Sequence, residues 1–156
     1  MRTLLITLFA LIASPVFAQG WDRYDNARFG YSIAIPPGFY GAGESENGDG
    51  QAFKADGKPS FILVWGGNLM GGFDSGVADA MRFAQDENWN ITYQAATPEW
   101  ASFSGSSGSR IFYQRMILLC DRTSYASFLA EYSVADRIEM DPVVEQLVLN
   151  LRGTAC

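Results

Sequence analysis

The stretch "QAFKADGKPSFILVWG", residues 51–66, decides the fold. Two runs rich in apolar residues flank Asp56-Gly57, with Lys58-Pro59 just behind. Asp-Gly in that place is a hairpin signal, because a primed turn needs positive φ, which Asp tolerates and Gly accepts freely. The chain therefore builds an antiparallel sheet, and the rest of the sequence has to be arranged around it.

Upstream, "WDRYDNARFGYSIAIPPGF" (residues 21–39) contains Tyr31, Ile33 and Ile35 alternating with Ser32 and Ala34 before Pro36 and Pro37 stop the run. This spacing predicts a half-buried strand. Downstream, the glycine-rich "GGNLMGGFDSG" (residues 66–76) leads into Val77, Ala80, Met81 and Ala84 at helical spacing, with Asp74 or Ser75 as its cap. From Asn90 onward period two returns. "NITYQAAT", "WASFSG", "SRIFYQRMILLC" and "SYASFLAEYS" read as four strands, joined by Thr97-Pro98, the "GSSG" turn at residues 105–108 and Asp121-Arg122-Thr123. The ending predicts an amphipathic helix: Asp141 as N-cap, Pro142 first inside, Val143, Val144, Leu147, Val148 and Leu151 on one face, and Gly153 just past its end. About seven strands and two main helices give an α+β domain with a largely antiparallel sheet of six to seven strands.

The first residues read differently. Arg2, an apolar run of about ten residues and "VFA" before Gln19 form a secretory signal peptide over residues 1–18, with Val16 and Ala18 as the small residues of the cleavage site. That run is well short of the roughly 20 residues that span a bilayer. The expectation is a single α+β domain over 19–156, periplasmic or secreted, with no membrane insertion after cleavage. The loss of Arg2 leaves ten basic against 17 acidic residues. Such a balance excludes nucleic acid as a partner, since no basic patch or stripe is present.

Two cysteines, Cys120 and Cys156, make the even count of a chain in an oxidising compartment, and a disulfide between them is expected. The absence of histidine removes Ser-His-Asp and Cys-His nucleophile systems and His-ligated zinc. No residue pattern calls for a cofactor.

Three stretches could still carry function. In "ESENGDGQAFKADGK" (residues 44–58), setting Gly50 at the sixth position of a calcium-loop template puts Ser45, Asn47 and Asp49 at the first, third and fifth and Asp56 at the twelfth. The match is partial, because the first ligand is a hydroxyl and the last a short carboxylate. Asn47-Gly48 and Asp49-Gly50 are also turn dipeptides, so an exposed turn is the first reading and a weak calcium site at Asn47 and Asp49 the second. The glycine-rich loop carries Trp65, Asn68, Met70 and Phe73, which fit contact with a partner or an apolar ligand. Paired carboxylates could serve glycoside hydrolysis, with Asp74, Asp79, Asp86, Glu87, Glu99 and Glu131 as candidates.

The "WDRYDNARFGYSIAIPPGF" start, the "NGDGQAFKADGKPSFILVWGGN" that follows and the late "YSVADRIEMDPVVEQLVLNLR" helix resemble a group of small exported bacterial proteins. The order of elements is similar to the Mog1/PsbP-like α/β/α sandwich. That resemblance implies binding or assembly more often than catalysis, since relatives include a partner of a small GTPase and an extrinsic photosystem subunit. It carries over no site residue. The leading expectation is an exported, non-catalytic module that binds a protein or a cell-envelope component. A carboxylate-dependent envelope glycoside hydrolase and a weak calcium-binding module stand as alternatives.

Overall fold

The computed structural model describes residues 20–154 and Cys156; the expected leader over 1–18 and the start at Gln19 lie outside the described residues. Strand β1 (Asp22–Asn26) pairs with β2 (Tyr31–Ile35), and the two-residue β10 (Arg152–Gly153) pairs with the other side of β2. A second, seven-stranded sheet contains β3 (Phe39–Glu44), β4 (Gly50–Ala55), β5 (Phe61–Asn68), β6 (Asn90–Ala96), β7 (Trp100–Ser107), β8 (Arg110–Leu118) and β9 (Ser124–Ser133). Its order is β3-β4-β5-β9-β8-β7-β6, antiparallel throughout. Helix α1 (Phe73–Asp86) follows β5, and α2 (Arg137–Asn150) follows β9 through a 3-10 turn at Val134–Asp136. The expected α+β class with two helices holds.

Register assigns the two faces of the large sheet. Ile62 lies opposite Ala130 and Val64 opposite Phe128, and these side chains pack with Ile33, Ile35, Met140, Val144 and Leu147 under the small sheet and α2. Leu63 lies opposite Leu129, and Phe103 opposite Gln114, on the other face. There Phe73, Ala84, Ala101, Phe103, Phe112 and Met116 form a second core beneath α1. Alternation along each strand thus feeds two cores, one per face.

Several expectations need correction. The β4–β5 connection contains Gly57 at φ 66°, but Asp56 keeps an ordinary φ. The turn is therefore a five-residue loop closed by Ala55 N–H donating to Ser60 O at 3.0 Å, not a two-residue primed turn. The "GSSG" turn moves along the chain, because β7 runs on through Ser107 and Gly108 at φ 59° makes the reversal. Helix α2 begins at Arg137, so Pro142 lies inside it rather than at its first position and removes one backbone donor there. Gly153 is no helix cap: Leu151 turns extended at ψ 118°, and Gly153 pairs with Tyr31. Strand β2 belongs to the small sheet, not to the hairpin sheet.

Candidate functional site: a groove beside helix α1

Helix α1 packs over β6, β7 and β8 and leaves a strip over β5 and β9 open. The uncovered strip is apolar. It forms a groove of about 450 Å³, floored by Trp65, Gln114, Tyr125 and Leu129, walled by Ser75, Gly76, Asp79, Ala80 and Phe83 of α1, and closed at one end by residues 68–71. Three large apolar side chains stand at its margin: Met70 is 98% exposed, Phe83 68% and Leu63 37%. Exposed apolar side chains gathered around one concavity, with few polar groups, are the usual make-up of a ligand or partner site.

The floor is held by a polar contact. Trp65 Nε1–H donates to the Tyr125 hydroxyl at 3.3 Å, from β5 to β9. Tyr125 can lie across β5 only because residue 67 is glycine: a Cβ there would come within 2.7 Å of the Tyr125 hydroxyl oxygen. Beneath them Gln114 is buried and donates through Nε2 to Ser127 Oγ at 3.2 Å, and Ser127 donates in turn to the Arg115 carbonyl at 2.8 Å. These contacts tie the groove floor together across β5, β8 and β9. Asp79, the one carboxylate in the wall, pairs with Arg82 at 2.9 Å.

Of the residues expected in a binding loop, Trp65, Asn68 and Met70 are brought together in this groove, and Phe73 is not. Gly72, at φ 97°, ends the glycine-rich loop earlier than the cap residues Asp74 and Ser75 suggest. Phe73 becomes the first residue of α1 and is buried against the Phe103 core. The sequence reading missed Phe83 and Leu63. The available signal was Phe83 itself, a large aromatic falling off the Val77, Ala80, Met81 and Ala84 stripe.

The acidic loop between β3 and β4 is a joint between the two sheets. Ser45 Oγ–H donates to Asp49 Oδ1 (2.5 Å), with Asn47 Oδ1 2.9 Å from the same hydroxyl, Asn47 Nδ2 donates to Asp49 Oδ2 at 3.0 Å, and the Gly48 N–H donates to the Ser45 carbonyl at 2.9 Å. From the small sheet, the buried Asn26 amide reaches Glu44 Oε1 (3.0 Å) and the Gly48 carbonyl (2.9 Å), and the Tyr31 hydroxyl donates to the Asp49 carbonyl at 2.8 Å. The Ser45 hydroxyl, with help from Asn47 and Arg28, holds the Asp49 carboxyl below its ordinary value. The oxygens of Asn47 and Asp49 are thus engaged within the loop, and Asp56 lies beyond β4 in the next connection. Among the described residues, no group of three or more Asp, Glu or Cys is placed to hold a metal ion.

Of the six candidate hydrolytic carboxylates, Asp74, Asp79, Asp86, Glu87 and Glu99 are exposed, and the buried Glu131 is paired with Arg110. The fold brings no two of them together in a buried cleft. Cys120 and Cys156 are joined, with Cα atoms 5.4 Å apart across a separation of 36 residues. The bridge ties the end of β8 to the segment just after β10, where the Thr154 N–H also donates to the Gly30 carbonyl at 2.7 Å. No helix among the described residues is long and apolar enough to cross a membrane.

No protein-family model matches the chain, and no curated protein matches it in sequence. Solved structures do match in shape. The solution structure of cyanobacterial PsbP from Synechocystis superposes with a TM-score of 0.66 at 11% identity, over 90% of this chain and 96% of that one. The Ran-binding protein Mog1p of Saccharomyces cerevisiae superposes with a TM-score of 0.63 at 7% identity, over 88% of this chain and 97% of that one. The fold is Mog1/PsbP-like, as the order of elements implied.

Proposed function

We propose that this chain is an exported, non-catalytic binding or assembly module, and that the groove beside α1 is where it takes an apolar segment of a protein or cell-envelope component. The observation that carries this reading is the gathering of Leu63, Met70 and Phe83, all exposed, around a floor fixed by the Trp65–Tyr125 bond. Apolar side chains around a concavity lose unfavourable hydration when covered, which is the driving force for docking. A Mog1/PsbP-like fold supports the same reading, since one structural neighbour is by its name a Ran-binding protein. The joined cysteines fit export to an oxidising compartment, periplasmic or outside the cell.

The test uses Met70→Ser with Phe83→Ser. Both side chains are exposed, so the fold should survive. Fluorescence of an apolar dye such as anilinonaphthalene sulfonate, bound to the mature protein, should fall on making the double change. Recovery of envelope partners on the immobilised protein should fall in parallel. Unchanged dye binding and unchanged partners would rule the groove out.

A further inference from the structure

A second concavity lies on the opposite face of the large sheet, where α2 overhangs the ends of β7, β8 and β9. It measures about 390 Å³. Arg137, Asp141 and Glu145 recur at every fourth residue, so one stripe of α2 faces it, and Tyr113 and Ser104 face it from opposite each other on β8 and β7.

Its chemistry differs from that of the first groove. Arg137 Nε–H donates to Asp141 Oδ2 at 3.3 Å, and the Tyr132 hydroxyl lies 3.5 Å from Asp141 Oδ1. Burial, the largest influence, and the Asp141 charge push the Tyr132 phenol up to about 12, so it stays a proton donor. Glu145 and the Ser104 hydroxyl form no hydrogen bond among the described residues, which leaves an acceptor and a donor-acceptor free toward the cavity. Tyr113 is part of an aromatic shelf: its ring is nearly parallel to Phe128 (6.1 Å, 18°) and to Tyr93 (6.4 Å, 23°). Tyr93, opposite Ser104 in the β6–β7 register and just outside the cavity lining, is 47% exposed.

We propose that this groove is a separate binding site for an uncharged saccharide. Neighbouring sugar hydroxyls both donate and accept, and they match a surface that offers a guanidinium, carboxylates and hydroxyls within one cavity. The C–H face of a pyranose ring is apolar and packs on an aromatic ring such as Tyr93, whose own hydroxyl stays wet. Two carboxylates against one guanidinium disfavour an acidic ligand. A purely cationic ligand would answer Glu145 but leave the Ser104 hydroxyl and the Tyr93 ring without partners, and a purely apolar one would leave the carboxylates and hydroxyls unpaired.

The experiment is a titration of the isotope-labelled mature protein with cellotriose, maltotriose and triacetylchitotriose, followed by amide shifts, with spermidine as the cationic comparison. At least one trisaccharide should move the Ser104, Tyr113 and Asp141 amides at millimolar concentration. Glu145→Ala and Tyr93→Ala, both at exposed positions, should each weaken that binding roughly tenfold, while Met70→Ser in the other groove leaves it unchanged. The proposal is overturned if no trisaccharide moves these amides, if spermidine alone does so, or if binding persists undiminished in both variants.

Discussion

The Trp65 indole donates to the Tyr125 hydroxyl at 3.3 Å, with the tyrosine laid flat over Gly67. A missing side chain on one strand makes room for a contact between two others. Gly67→Ala should therefore displace Tyr125, break the bond and reshape the groove floor, at a cost of about 1 to 3 kcal/mol for overpacking. Thermal unfolding and the Trp emission maximum together report it. An unshifted emission spectrum would mean that Tyr125 is not held by this contact.

Asn26 is the keystone of the joint between the sheets. It is 2% exposed, donates to Glu44 and the Gly48 carbonyl, and accepts the Phe29 N–H at 2.9 Å. Asn26→Ala leaves several buried polar atoms without partners and should cost about 2 to 4 kcal/mol in denaturant unfolding. A loss well under 1 kcal/mol would show that the joint contributes little.

How much of this was legible beforehand varies with the physical signal. Strands β4 to β9 announce themselves through period-two alternation and their Gly, Pro and Asp punctuation. Strand β1, "DRYDN", buries only Tyr24 and Asn26, and β3, "FYGAGE", is an edge strand exposed along nearly all its length, so neither shows an apolar period. The first turn of α2 was hidden because Pro142 resembles a helix start. Trp65, Asn68 and Met70 could be placed together from the glycine-rich loop, but the groove itself depends on where α1 stops covering the sheet. No local pattern encodes that.

Asp49 gives the acid response a sign. Its folded-state value lies below the unfolded one, chiefly through the Ser45 hydroxyl. Its contribution is therefore present above the ordinary carboxylate range and is lost as the pH falls through the lowered folded value. Because Asp49 is only partly buried, solvent screens the effect and keeps it small. Asp49→Asn should lower the melting temperature slightly at neutral pH and converge with the native chain at low pH, so that its acid limb is flatter. An identical acid limb would contradict the assignment.

The Cys120–Cys156 bridge closes a separation of 36 residues and anchors the segment after β10. The chain-entropy model gives it about 3 to 4 kcal/mol. Cys156→Ser should lower stability by about that amount, and a reductant should lower the melting temperature of the native chain but not of the variant. A native chain indifferent to reductant would refute the role.

The groove beside α1 is the proposed docking surface. Its most direct test places a photo-crosslinking residue at Met70, and in a separate protein at the exposed Glu46, in the full chain made in its own cells. A discrete crosslinked product is expected from position 70, lost when Phe83 is changed to Ser, and none from position 46. Equal yields from both positions, or a product at position 70 indifferent to Phe83→Ser, would contradict it.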